Sequence, residues 1–423
     1  MTDTNETGTK RWAEKGIYLL LGFMLVATIA FTIHGIREVL SPHGATDLHA
    51  YWYSGHFVRQ GTDPYQAYFD GQLPALPVHY VDGVIDRDGP VVQPGLAITP
   101  AYTPFMIVLF SGSSFFSWPT AKLLWMLFNM VLVLLIPWLV IKLLPEDANL
   151  SNIVKLFLLL TFFCLQGTRI SIWTGQASLL VFALMLLALL TMNKNALIPG
   201  LFLGIALGKY SLAIGLVLFL FYKRRYLIIG LAFAWQLIGL LLLSLFVQVS
   251  PLAIIENNVR LLLHYTDFPG VHLASLFPNV PVLSVTAVLI LTLGTGWVLF
   301  RQYRMAKQEK QPLFDLYVLT ILTLWSLLVA YHRAYDTILI ILFIALTLYE
   351  LTHDRLGQLQ KKKDIVFLGI FIVTLSIPSS IMALVFPAAV MPAWYRLVSV
   401  AMTFALLSAL LITSWRFRLF SRL

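Results

Sequence analysis

Long apolar runs follow one another from end to end of the chain. They fall near 16–36, 100–116, 119–144, 152–168, 176–192, 197–221, 226–249, 281–300, 313–330, 335–351, 365–386 and 395–414. A run of about 17–25 such residues crosses a bilayer as a helix. In lipid a spanning segment must pair its own backbone polar groups, and no long alternating strands are present. The pattern predicts an all-α polytopic membrane protein with about twelve transmembrane helices. No Pro/Gly/Ser-rich linker divides the chain, so 1–423 reads as one integral domain. It comprises a first helix at 16–36, a polar loop at 37–99, and the remaining helices over 100–414. A second polar loop at 250–280 interrupts the latter.

Composition agrees. The 423 residues are 59% hydrophobic and 12% charged, with mean hydropathy +0.82, whereas soluble domains carry about 25% charged residues. Cys164 is the one cysteine, so no intramolecular disulfide forms. The first apolar run is too long for a signal sequence and reads as an uncleaved helix. The net charge of +9 is topological rather than a nucleic-acid footprint. With the N-terminus inside and strict alternation, Lys10–Lys15, Lys122, Arg169, Lys223–Arg225, Arg301–Lys310, Arg355–Lys363 and Arg416–Arg422 all lie inside, as the positive-inside rule expects. The outer segments are then 37–99, 145–151, 193–196, 250–280, 331–334 and 387–394. GKYS interrupts the run at 197–221, which could instead be two half-helices. Both termini are expected to be cytoplasmic and both long loops to lie on the outer face of a plasma membrane. Two long polar loops on one face suggest a site at the outer membrane–water boundary.

The densest polar chemistry sits in the first loop, at DLHAYWYSGHFVRQGTDPY (47–65). Asp47 to Gln60 has helical spacing, with Leu48, Tyr51, Trp52, Phe57 and Val58 as a partly apolar face. It is too short and polar to span, and reads as an amphipathic helix lying in the interface. Gly61 suits its C-terminus and Asp63 before Pro64 suits a turn. By position Asp47 could be the helix N-cap.

The order D-x-x-x-Y, an aromatic helix, then G-x-D-P-Y after the first transmembrane helix resembles the polyprenyl-phosphate-dependent mannosyltransferases of glycosyltransferase family 87, within the GT-C superfamily. Asp47, Tyr51, Gly61, Asp63, Pro64 and Tyr65 fit it. AYTPF (101–105), GQAS (175–178), GIALGKYSLAIGL (204–216) and YHRAYD (331–336) resemble later family elements in the expected order. Ala213 or a neighbour stands where the family usually has Pro, and the acidic stretch VDGVIDRDG (81–89) is a second departure. Both bear on the acceptor.

The resemblance implies a GT-C-type bundle and an inverting transfer of a sugar, mannose by family, from a polyprenyl-phosphate carrier. The acceptor would be a hydroxyl of a glycolipid or glycan on the outer face. It makes Asp47 the general base. His332, Arg333, Lys209, Arg59 and Arg260 are candidates to hold the donor phosphate, since Arg and protonated His donate to phosphate oxygens. Asp336 could orient His332 or pair with Arg333. Lys209 lies well inside a predicted helix, where charges usually face a cavity. Tyr51, Trp52, Asp63, Tyr65, Tyr102, Gln176, His264, Tyr335 and Asp336 are candidates for the sugar and acceptor pocket. No cofactor beyond the lipid-linked donor is expected. Asp82, Asp86 and Asp88 lack the full calcium-loop pattern and its closing Glu, so no metal is expected. The partners implied are a polyprenyl-phosphate sugar, a glycolipid or glycan acceptor and the bilayer, not nucleic acid.

Three other readings compete. A lipid-linked-sugar transporter or flippase would show internal symmetry and polar residues threading the midplane. A non-catalytic assembly protein would tolerate replacement of Asp47. An O-antigen ligase or polymerase would carry its largest loop late in the chain, whereas here it is the first.

Overall fold

The computed structural model describes all residues except 1–2, 42–43, 73–78, 82–83, 87–100, 146–149, 266–269, 278–279, 306–311, 354–357, 377–390 and 421–423. In chain order the helices are α1 (Asp3–Leu40), α2 (Thr46–Arg59), α3 (Pro64–Phe69), α4 (Pro104–Ser111), α5 (Trp118–Leu143), α6 (Asn152–Cys164), α7 (Gln166–Thr174), α8 (Ser178–Thr191) and α9 (Leu197–Ala206). They continue with α10 (Tyr210–Tyr222), α11 (Tyr226–Val247), α12 (Pro251–Tyr265), α13 (Pro281–Met305), α14 (Pro312–Val329), α15 (Ile341–Thr352), α16 (Gln358–Ser376) and α17 (Met391–Phe420). Single 3₁₀ stretches follow α4 (Gly112–Phe115), α9 (Leu207–Lys209) and α12 (Leu273–Leu276), and one precedes α15 (Ala334–Ile340). The only sheet among the described residues is the antiparallel pair His79–Val81 and Val84–Asp86. Of the acidic stretch, Asp82 and Asp88 lie outside the described residues, as does the side chain of Asp86.

Among the described residues, seven helical stretches are long and apolar enough to cross a bilayer, eight if α6 and α7, bent by 53°, form one span. Pro104–Phe115, Ser178–Thr191 and Leu313–Val329 are apolar but shorter. This is a polytopic membrane protein, with several of the expected spans cut short.

The shortest of these changes the topology. Just before α4, Tyr102 stacks on Tyr51 of α2 at 4.2 Å. Just after it, the Phe116 carbonyl accepts from Trp52 of α2 at 3.0 Å. Both ends of α4 therefore stay beside α2, and the chain does not cross. The next helix, α5, therefore also starts beside α2. Lys122, expected inside, donates to the Ser41 carbonyl at 2.7 Å on the α2 side. Arg169 lies on α7, whose C-terminal end meets α2 through Ala45 N–H bonded to the Trp173 carbonyl at 3.0 Å, so GTRISIWTGQ is not an inner turn. Residues 193–196 follow the end of α8 remote from its junction with α7 and α2; most of the segment 145–151 lies outside the described residues.

The chain turns back again at Lys209. Gly200 and Gly204 of α9 pack on Leu231 and Trp235 of α11, so these helices run in the same direction. Arg225, three residues after α10 and at the start of α11, bonds Asn193, before α9, at 2.5 Å. Four residues span at most about 14 Å, so α10 must descend again beside α9. The apolar stretch Leu197–Tyr222, long enough to span if straight, is therefore a re-entrant hairpin with Lys209 at its tip. Irregular backbone of this kind persists in a membrane where it is buried in protein or lines a cavity. Lys142, Lys155, Lys194 and Lys223–Arg225 then share the side opposite α2.

Glycines set the closest approaches. Gly55 of α2 faces the Ser111 backbone at the end of α4. A Cβ at Gly239 of α11 would lie 2.4 Å from Phe105 Cα of α4. Gly239→Leu should therefore destabilise the protein by about 1–3 kcal/mol, the usual cost of overpacking. Thermal unfolding in detergent would read this, and an unchanged midpoint would contradict the tight α4–α11 seat. On the far side, buried Arg416 of α17 pairs with Glu350 of α15 and Asp364 of α16, each at 2.8 Å. Tyr317 of α14 also donates to Glu350.

Candidate active site

α2 begins without a side-chain cap. Ala45 holds the N-cap position in left-handed conformation (φ 59°), and Asp47 is the second helical residue. The capping role open to Asp47 is thus not the one it has, and its carboxylate is left for other partners. It is half-buried. Burial pushes it above the ordinary value of 3.8, against the pull of Arg333, the Thr174 hydroxyl and Lys209, while Asp336 pushes it further up. Thr174 arrives because Gly175 closes α7 in left-handed conformation (φ 69°), with Leu48 of α2 packed against it. This is the one place where GQAS needs its glycine.

The rest of GQAS builds the floor. Gln176 Oε1 accepts from the Tyr102 hydroxyl and from Ala177 N–H, each at 2.9 Å. Ser178 Oγ donates to Asp336 Oδ1 at 2.9 Å. Lys209, at the tip of the α9–α10 hairpin, gives hydrogen bonds to Ser178 Oγ (2.6 Å) and Asp336 Oδ1 (2.5 Å). Its ammonium also lies 4.2 Å from the Tyr335 ring centroid. The other Asp336 oxygen meets His332 Nδ1 at 3.1 Å and the Arg333 N–H at 3.4 Å. Gly167 lets this segment press on α7, since a Cβ there would strike Thr337 Oγ1 at 2.7 Å and the Ala334 carbonyl at 2.9 Å. YHRAYD is also tied to the second loop, where Val271 N–H bonds the His332 carbonyl at 2.6 Å.

Asp47, Lys209, His332, Arg333, Tyr335 and Asp336 are therefore brought together from three separate parts of the chain. An ionised Asp336 keeps the His332 proton on Nδ1. His332 Nε2 is buried with no hydrogen-bond partner among the described residues, and in the imidazolium form it becomes a second donor. Arg333 Nε bonds the Tyr331 hydroxyl at 3.0 Å, and its guanidinium acts electrostatically on Asp47. The group can take up a proton at a carboxylate with positive charge poised alongside. That combination suits attack by a hydroxyl with departure of an anion.

The other candidates sit elsewhere. Arg59 lies about 18 Å along α2 from Asp47, where it bonds the Ser114 carbonyl at 2.9 Å and lies over Phe115. Arg260 lies over the Phe69 ring at 4.1 Å. Asp63 is the N-cap of α3, accepting from Tyr65 N–H at 3.0 Å, and its second oxygen accepts from Asn257 at 2.9 Å. Tyr65 is fully buried, its hydroxyl bonded to the Tyr102 carbonyl at 2.6 Å. Tyr51 is fully buried between Tyr102 and Phe110. Tyr51 and Tyr65 support the floor rather than line a space, whereas Asp63 borders a separate depression with Gln66, Glu256 and Asn257. Trp52 packs with His56 and Trp118 on the far side of α2. His264 is on α12, and its side chain lies outside the described residues. Thr174 was not singled out in the sequence, since a lone threonine beside a glycine gives no signal of its own.

A search of curated proteins found no match. The sequence model of glycosyltransferase family 87 matches residues 101–348. That stretch takes in Tyr102, Gln176, Lys209 and the whole of YHRAYD, while 47–65 precedes it. Covering more than half of the chain, the match shows that the protein belongs to glycosyltransferase family 87 and is a membrane glycosyltransferase.

Proposed function

We propose that the protein is an inverting GT-C-type transferase that moves a sugar, mannose by family resemblance, from polyprenyl phosphate to a hydroxyl of a glycolipid or glycan. The acceptor oxygen attacks the anomeric carbon and its proton passes to Asp47. The bond from that carbon to the phosphate oxygen breaks, and the polyprenyl phosphate leaves with the electron pair. A single displacement inverts the anomeric centre. Arg333 and His332 meet the charge on the leaving phosphate. Lys209 is held by Asp336 and Ser178 and acts by fixing that pair of helix breaks. The basic clusters on the side opposite Asp47 support cytoplasmic termini, a plasma-membrane location and a site on the outer face.

The observation that carries this reading is the buried network of Lys209, Ser178, Asp336 and His332 close enough to Asp47 for Lys209 and Arg333 to act on its carboxylate. It is tested in nanodiscs with short-chain polyprenyl-phosphate mannose and membrane extract as acceptor, following polyprenyl phosphate release. Release that depends on Asp47 supports the transferase. No release and no donor binding, with this or other lipid-linked sugars, would return weight to a transporter. The pH profile gives an independent check. A base must be ionised to act, so activity falls on the acid side as Asp47 gains its proton. Because burial raises this group, the acid limb should lie above pH 3.8. A limb at or below that value would assign the base elsewhere.

A further inference from the structure

The depression beside Asp63 holds about 490 Å³, within the range of about 300–1,000 Å³ that takes small ligands. It lies where the α2–α3 turn meets the start of α12, and Gly61 makes that turn in left-handed conformation (φ 73°). Asp63 is 4% exposed, and its two oxygens accept from Tyr65 N–H and Asn257 Nδ2. Gln66 and Glu256 stand exposed at the rim. Gln66 gives its amide nitrogen to Asp70 at 2.8 Å, which leaves its Oε1 to accept. The Glu256 carboxylate has no partner among the described residues. Arg260, one turn further along α12, lies over the Phe69 ring instead. No Lys or Arg lines the depression, while Val249 and Ala253 give it a small apolar surface. Carboxylates repel a phosphate, so this space does not suit the donor. A sugar has the matching make-up. Its hydroxyls both donate and accept, and the C–H face of its ring can rest on Val249 and Ala253.

We propose that this depression is a second carbohydrate subsite, which holds sugars of the acceptor glycan beyond the one that reacts. This rests on the proposed transfer and narrows its acceptor to a chain of several sugars. The placement supports it. Gly61 lies about 21 Å along α2 from Asp47, too far for one sugar to touch both and within reach of an oligosaccharide. α12 leads from the depression to the second loop, whose Val271 bonds the His332 carbonyl. The two places are also braced together. Asn258, next to Asn257, donates to the Tyr102 carbonyl at 3.0 Å, and the Tyr102 hydroxyl donates to Gln176 in the floor of the site at 2.9 Å. A glycan held at Glu256 and Gln66 therefore keeps a fixed distance from Asp47. A divalent cation fits less well. Calcium takes about 6–8 oxygen ligands, whereas Asp63 is already engaged and Glu256 is the one other carboxylate lining the depression.

The probes are tetrasaccharides of mannose, glucose and arabinofuranose, each with a diazirine at its reducing end. They are photolysed with the full-length protein in phosphatidylcholine nanodiscs and mapped by peptide mass spectrometry. At least one is expected to label Gly61–Gln66 and Val249–Asn257. The same tetrasaccharide without diazirine should compete, whereas its monosaccharide should compete at least tenfold less well. Glu256→Ala should reduce labelling at least tenfold, and since Glu256 is exposed the fold does not depend on it. Ala253→Trp, which fills the depression from α12, should abolish labelling. Asp47→Asn should label like wild type, because binding here needs no turnover. Labelling of these segments in a protein that transfers no sugar would keep the subsite and sink the transferase reading. Release of polyprenyl phosphate by a protein that none of the probes labels there would keep the transferase and overturn the subsite. Indifference to both α12 variants, or equal competition by the monosaccharide, would also overturn it. Labelling that calcium displaces would give the depression to a cation instead.

Discussion

Asp47→Asn is expected to lower the turnover number by about 10²–10⁴-fold, the range general-base catalysis supplies, with little change in donor KM. The amide keeps the size of the carboxylate and can still accept from Thr174, but it cannot take a proton. Asp47 sits at the second position of α2 with the cap position already held by Ala45, so the substitution removes no cap and at most about 1 kcal/mol of helix-dipole stabilisation. In the proposed reaction donor binding rests on Arg333 and His332, which the substitution leaves in place. The split between kcat and KM therefore separates a base from a binding residue. A binding role would raise KM and leave kcat near wild type. Full turnover by a folded Asp47→Asn enzyme would remove Asp47 from the chemistry. Thr174→Val is the companion variant. It deletes the hydroxyl that favours the ionised carboxylate, so it should move the acid limb of the pH profile upward rather than abolish activity.

The membrane class and the membership of the site were legible in the sequence to different degrees, and for different reasons. Apolar run length reports whether a helix is buried in lipid or protein, but not whether it crosses. The run at 100–116 is apolar because α4 packs between α2 and α11, with Gly239 against Phe105, and it returns to the side it came from. The run at 197–221 folds back at Lys209. Because the chain turns back at both places, strict alternation from one apolar run to the next does not hold between them. The charge rule gave no warning, since Lys122 and Arg169 are held inside the fold by the Ser41 and Ser376 carbonyls. For the site, polar residues placed against the apolar pattern were the readable ones, as Lys209 and His332–Asp336 show. Residues on the aromatic face of α2 were harder. Tyr51 and Tyr65 look like sugar platforms in sequence, yet both are fully buried. An aromatic in an amphipathic helix serves packing and stacking equally well, and spacing alone does not say which.

The largest expected loss of stability comes from Asp336→Ala. This carboxylate is buried, and it accepts from Lys209, Ser178, His332 and the Arg333 backbone. Its removal strands the Lys209 ammonium, itself buried at the tip of the re-entrant hairpin. Taking one partner from a buried ion pair costs about 3–5 kcal/mol, far more than an exposed pair is worth. The midpoint of thermal unfolding in detergent should fall clearly below wild type. A double-mutant cycle then decides where the loss arises. Lys209→Met removes the stranded charge, so Asp336→Ala/Lys209→Met should be more stable than Asp336→Ala alone. The double variant should remain inactive, because His332 and Arg333 have lost the group that orients them. Additive losses would mean that Lys209 is not held by Asp336. A single variant as stable as wild type would mean that the hairpin tip is anchored by Ser178 and Tyr335 alone. Either result would separate the re-entrant hairpin from the reaction, whereas coupling of several kcal/mol would make one ion pair responsible both for folding α9 and α10 back and for setting the phosphate-facing residues beside Asp47.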